Sequence, residues 1–218
     1  MRPATIGAEV GILPLKRDRT FLAGDWQDRC YSPGMKPAVF FERDGILNVC
    51  ATVQGRQMPP LRLEEFRLHP EAADCLAELK RAGFLLIATT NQPAVSQGTL
   101  SRRELDLMHA MLRRKLPLDD ILMCPYDDPS HPCCKPQPGM FLEAAFKWSL
   151  DLDRSFIVSD KWIDAKAAQV AGCTSVLLKS PWIGDDHHDF VVADLPKAVA
   201  KILDLQLHLH GHAFAASA

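Results

Sequence analysis

No stretch of this 218-residue sequence stays apolar long enough to cross a bilayer as a helix, which takes about 20 residues. That excludes a helical membrane protein. Charge of one sign is also scarce: 25 Lys and Arg stand against 27 Asp and Glu, interspersed, for a net charge of -2. A nucleic-acid binder would carry a basic patch or stripe, so nucleic acid is not an expected partner. The N-terminus lacks the shape of a signal peptide, because Pro3, Pro14 and Lys16-Arg17-Asp18-Arg19 interrupt any apolar core. A cytoplasmic location is expected. The seven cysteines are odd in number, and without an export signal they exclude a disulfide framework. Internal repeats and low-complexity segments are missing too. Oligomeric state leaves no mark.

What is present points to one α/β domain. Apolar residues make up 47% of the chain, enough to bury a sizeable core at this length. Residues 1–36 have no sustained period and read as a surface extension, with Asp25-Trp26-Gln27-Asp28 in a packing role. Residues 37–206 form the domain and 207–218 a tail, whose alternating His208, His210 and His212 read as solvated. Within the domain, apolar runs at 38–41, 84–88, 120–123, 155–158 and 174–178 read as strands. Helical spacing follows them from His69-Pro70 to Gly83, from Ser101 to about Leu116, and over 140–150, 164–171 and 195–205. Ser101 with Glu104 is a capping box. Residues 49–68 are polar and irregular, a loop or small excursion. Strands alternating with helices predict βαβ units in a three-layer, Rossmann-like fold with a mostly parallel central sheet. Ligands of such sheets bind at the carboxyl ends of the strands, where the polar segments of this sequence fall.

Four of those segments carry chemistry. Glu42 and Asp44 lie two residues apart at a strand end, a pairing suited to Mg²⁺, to attack on phosphorus and to acid/base work. Thr90-Asn91-Gln92 offers a hydroxyl and two amides to phosphate oxygens. Lys135 stands just ahead of a helix, where it can neutralise charge on a transferring phosphoryl group. Asp160 and Asp164 suit Mg²⁺ ligation and support of Lys161. Taken singly, each segment also reads as ordinary turn or cap chemistry.

Together, in order and spacing, they resemble the four motifs of the haloacid dehalogenase (HAD) phosphotransferase superfamily. The likeness is strongest to the branch of D-glycero-D-manno-heptose 1,7-bisphosphate and histidinol-phosphate phosphatases. It rests on Arg43-Asp44-Gly45-Ile46-Leu47-Asn48, on Thr90-Asn91-Gln92 with Gly98, on Lys135-Pro136-Gln137-Pro138-Gly139-Met140 and on Asp160-Lys161-Trp162-Ile163-Asp164. It covers about residues 37 to 180. The resemblance implies a phosphatase of a small phosphorylated metabolite, a sugar phosphate, without a large cap domain. It puts position 42 in the slot of the nucleophilic aspartate, Asp44 in that of the acid/base, and Thr90 and Lys135 on the phosphate. Glu42, Asp44 and Asp160 would hold Mg²⁺. Arg43, Asn91, Gln92 and Lys161 are further candidates for substrate contact.

The sequence departs from this pattern in two places. Position 42 is Glu where the family has Asp, which moves the carboxylate by about 1 Å, a displacement that can cost about a hundredfold in rate. The alternative reading is therefore a catalytically impaired relative that binds a phosphorylated ligand or a protein partner. The branch also often carries a zinc loop with a Cys-x-His arm and a later Cys-x-Cys arm before Arg-Lys-Pro. Here Tyr126 replaces the first arm's His, His131 replaces a Cys, and Cys134 replaces the Arg. Cys124, His131 and Cys133 remain as zinc ligands, with Cys134, Asp127 or Asp128 as the fourth. Loss of that planar, bidentate arginine argues against the heptose bisphosphate as substrate.

Overall fold

The computed structural model describes residues 34–184 and 188–215, with side chains to residue 207. The expected N-terminal extension, Asp25-Trp26-Gln27-Asp28 included, lies outside the described residues except for its last three positions. In chain order the elements are β1 (Ala38–Glu42), β2 (Asn48–Val49), β3 (Ala51–Val53), β4 (Arg56–Met58), β5 (Arg67–Leu68), α1 (Ala72–Arg81), β6 (Leu85–Asn91), α2 (Pro93–Ser96) and α3 (Arg102–Lys115). They continue with β7 (Asp120–Cys124), α4 (Gly139–Trp148), β8 (Phe156–Ser159), α5 (Trp162–Ala171), β9 (Thr174–Leu178), β10 (Phe190–Val192) and α6 (Leu195–Ala215).

The central sheet has six strands in the order β10-β9-β8-β1-β6-β7, and every pairing is parallel. β1 is buried along its whole length, as a central strand covered on both faces must be. Its alternation assigns the layers. Val39 and Phe41 join a core with Leu76 and Leu79 of α1, Leu105 and Leu112 of α3, and Val199 and Ile202 of α6. Ala38 and Phe40 join a second core with Phe141 and Ala144 of α4 and Ala167 and Ala168 of α5. Phe40 packs on Phe141 with ring centroids 4.8 Å apart, and truncating either ring to Ala would cost about 3–5 kcal/mol. The result is the expected three-layer α/β fold.

After β1 the chain builds outward through β6 and β7, then crosses back to β8, β9 and β10 on the other side. The direction of winding reverses between β1 and β8, and loops there diverge to leave a crevice at the carboxyl ends.

Several local expectations change. Residues 49–68 are not irregular: β2 pairs with β5 and β3 with β4, both antiparallel. Strands of two or three residues are too short to show a period. The β3–β4 turn also uses Gln54 and Gly55 at φ +50° and +73°, where Asn-Gly is the usual signal. β10 is a further short strand, at the sheet edge. The last helix runs on to Ala215, so residues 207–215 of the expected tail are helical. The capping box is half formed. Ser101 accepts from the Glu104 N–H, but the Glu104 carboxylate takes the N–H of Leu63 at 2.7 Å, tying α3 to the excursion. Among the described residues, no helix is long and apolar enough to cross a membrane.

Candidate active site

The four segments meet at the crevice. Glu42 ends β1, Thr90 and Asn91 end β6, Ser159 ends β8, Lys135 precedes α4, and Asp164 lies in the first turn of α5. Glu42, Asp44, Thr90, Lys135, Asp160 and Asp164 are all buried.

The carboxylate of Glu42 is saturated with donors. Its Oε1 accepts from the main-chain N–H of Arg43 at 3.0 Å and of Asp44 at 3.2 Å, and from the Thr90 hydroxyl at 3.1 Å. Its Oε2 pairs with Lys135 Nζ. Burial pushes its acidity toward the neutral form, but Lys135 and then Lys161 outweigh that and hold it down at about 2. Lys135 also pairs with Asp164 and donates to the Thr89 carbonyl at 3.0 Å. One ammonium thus serves two buried acids. Glu42 has the two amides besides and stays ionised, whereas burial pushes Asp164 up to about 6 against the pull of Lys135. Asp164 accepts from Ser159 Oγ at 2.8 Å. It therefore supports Lys135, not Lys161 as expected, because the first turn of α5 aims it back under the sheet end.

Asp44 faces the other way. Arg43, fully buried, chelates it through Nη2 at 2.9 and 2.8 Å, and Gln92 Nε2 donates to it at 2.7 Å. Arg43 in turn lies 3.4 Å from His109 Nε2 and over the Phe66 ring. Burial and then the Arg43 charge hold His109 down at about 4, hence neutral near pH 7. Asn91 clamps the main chain of Lys135 from both sides, accepting its N–H at 3.1 Å and donating to its carbonyl at 3.0 Å. Three residues expected at the substrate are held by protein groups here. The side chains of Arg43, Asn91 and Gln92 each bond a neighbouring protein group and help to position Asp44 and Lys135. Thr90 and Lys161 also bond protein groups at the crevice. Lys161 Nζ donates to the Asp44 carbonyl at 2.9 Å and lies 3.4 Å from Asp160 Oδ1.

Three contributors were not legible as site residues. Gln57 of β4 reaches over the crevice to Asp160 Oδ2 at 3.0 Å, and nothing in its sequence context marks it. His109 sits on the buried stripe of α3 beside Leu105, Met108 and Leu112, a polar group at an apolar position that could have flagged it. Ser159, which ends β8 and donates to Asp164, carries no mark in its sequence context either. Gly45 is required twice over: its φ is +97°, and a Cβ there would lie 2.2 Å from Gln57 Nε2 and 2.9 Å from Asp160 Oδ2.

The proline-rich loop does bring Cys124, His131 and Cys133 together, with one ligand atom from each all within 4.8 Å of one another. Tyr126 stacks on His131 at 4.1 Å between centroids. Two of the three candidates for a fourth ligand are engaged elsewhere: Asp127 accepts from Gln97 and Asp128 caps Ser130. Cys134 is buried and accepts from Asn91.

Residues 132–198 match the family model described as HAD-hydrolase-like. The D-glycero-β-D-manno-heptose-1,7-bisphosphate 7-phosphatase of Mesorhizobium japonicum is 32% identical over 72% of this chain and 73% of its own length. That of Escherichia coli O6:H1 is 30% identical over 76% of this chain and 95% of its own length. The chain belongs to the haloacid dehalogenase-like phosphatases, in the branch of the heptose bisphosphate phosphatases. Solved structures of the family agree. The D,D-heptose 1,7-bisphosphate phosphatase of B. bronchiseptica, complexed with magnesium and phosphate, superposes with a TM-score of 0.68 and 26% identity, covering 78% of this chain and 99% of that one.

Proposed function

We propose that the protein is a Mg²⁺-dependent phosphatase of a small phosphorylated metabolite, a sugar phosphate, working through a phosphoryl-enzyme on Glu42. The observation that carries this reading is the convergence of an ionised carboxylate, four anion donors and a second carboxylate two residues on, all at the switch point of the sheet. The relatives, named as phosphatases of a phosphorylated sugar, support the substrate class.

The oxygen set fits a hard cation. Asp160 Oδ1 is buried and accepts no hydrogen bond, and burial pushes its carboxyl up against the pull of Lys161, with Glu42 adding to the rise. Glu42, Asp44 and Asp160 would hold Mg²⁺, which neutralises charge on a transferring phosphoryl group when bound. Lys161 shares the same oxygens and must yield room. The two main-chain N–H groups, Thr90 and Lys135 hold the non-bridging phosphoryl oxygens. A Glu42 oxygen bonds phosphorus as the ester P–O bond breaks, and the electron pair leaves with the alkoxide, which takes a proton from Asp44. Asp44 then accepts a proton from the water that attacks phosphorus, releasing orthophosphate and restoring Glu42. Away from this chemistry, Cys124, His131 and Cys133 would hold a structural Zn²⁺, for which thiolate and imidazole are fitting donors.

A second reading, a phosphate-ester binding protein with little turnover, is favoured by Glu42 itself, whose carboxylate already consumes the donors. Hydrolysis of a panel of sugar phosphates with Mg²⁺ decides. Turnover that Asp44→Asn abolishes and Glu42→Asp raises, by about a hundredfold, supports the phosphatase. Silence in the wild type with activity in Glu42→Asp moves the protein to the second reading. Silence in both overturns the proposal.

A further inference from the structure

The donors around Glu42 form a recognisable anion site in their own right. Two successive main-chain N–H groups, a hydroxyl and an ammonium converge on one point, the arrangement that binds oxyanions elsewhere in proteins. The point they converge on is not empty space for a ligand. It is filled by the carboxylate of the residue that begins the loop. We infer that the resting site is self-liganded: the Glu42 carboxylate occupies the cradle meant for the phosphoryl group, and a phosphate ester must displace it to bind. This rests on the phosphatase reading and deepens it.

The extra methylene explains why the side chain can do this. Oε1 of Glu42 folds forward onto the N–H groups of its own next two residues, so the loop after β1 closes on its own side chain. The occupied state is also well satisfied, since the carboxylate is almost fully buried and every donor of the cradle points at it. Lys161 is likewise engaged, between the Asp44 carbonyl and Asp160. In-line attack by Glu42 on a phosphate held by the same donors cannot coexist with this arrangement. Binding therefore selects a minor conformer with Glu42 swung out. If that conformer is about 1% populated, apparent affinity falls by about a hundredfold.

The test is calorimetric titration of orthophosphate into wild type, Glu42→Ala, Glu42→Asp and Glu42→Gln, with and without Mg²⁺. No turnover is involved. Glu42→Ala is expected to bind orthophosphate about a hundredfold more tightly than wild type, and adding Thr90→Val to it should remove most of the gain. Glu42→Asp should fall between. Should Glu42→Ala fail to fold, which a thermal melt reports, Glu42→Gln keeps the shape without the charge and must still bind more tightly than wild type. Equal affinity in wild type and variants would overturn the self-liganded state and leave the phosphatase reading standing. Binding in none of them would overturn both.

Discussion

Lys135→Met removes the one positive charge shared by Glu42 and Asp164 and leaves both acids buried. The wild-type ammonium is fully enclosed and pairs with carboxylates 5% and 0% exposed. Removing one partner of such a buried pair costs about 3–5 kcal/mol. Glu42 retains two amides and Thr90, so Asp164, left with Ser159 alone, carries most of the penalty. For a chain of this size each kcal/mol lowers Tm by about 2–4 °C, so a fall of roughly 6–20 °C is expected at pH 7. The pH dependence has a definite sign. Without Lys135 the folded-state pKa of Asp164 rises further above its unfolded value, and the added loss grows as pH rises through that range and shrinks in acid. Urea unfolding of Lys135→Met, Asp164→Asn and the double variant across pH closes the cycle. A coupling of more than about 1 kcal/mol between the two positions is expected. A Tm within about 3 °C of wild type, or a loss that grows on acidification, would refute the assignment of Lys135 as the shared counter-ion.

Three further outcomes are expected. His109, held down at about 4, is neutral when folded, so it contributes stability above pH 6.5 that is lost as pH falls toward 4. His109→Gln should shrink the stability difference between pH 7 and pH 4 by about 3 kcal/mol, measured against wild type because Glu42 and Asp164 titrate nearby. Gly45→Ala should cost about 2–3 kcal/mol in chemical denaturation, and a change under about 0.5 kcal/mol would mean the loop can shift at little cost. Protein prepared with Zn²⁺ should retain about one equivalent by metal analysis. Cys133→Ser should lose it, and equal zinc content in the two would exclude the loop as the site.

The sheet was legible because its strands are short apolar runs of Val, Ile, Phe and Leu whose burial needs no partner to be inferred. The four site segments were legible because three sit at strand ends and the fourth in the loop between β7 and α4, where a single order of elements gathers them. What escaped was set by contact and not by pattern. Gln57 acts through one hydrogen bond across 103 residues, and the two small antiparallel pairs, one of which contains it, are shorter than any period. The partner of Asp164 was misread because sequence proximity favours Lys161, three residues away, while the fold delivers Lys135 from a different loop. The side chains of Arg43, Asn91 and Gln92 had the chemistry of ligand contacts, and only their geometry shows that they hold other residues in place.

The contact between Glu42 and Lys135 spans 93 residues, and β1 pairs with β6 and β8, which come from opposite halves of the domain. A contiguous fragment must run at least from position 42 to position 135 to hold the cradle. The stretch 132–198 that matches the family model carries Lys135, Asp160 and Asp164 but neither Glu42 nor Thr90. The cradle therefore comes into being only when β1 pairs with β6 and the Lys135 loop docks on them, and long-range parallel pairing of this kind is slow. Appearance of an intact cradle during refolding would serve as a clock for the pairing of β1 with β6 and the docking of the Lys135 loop.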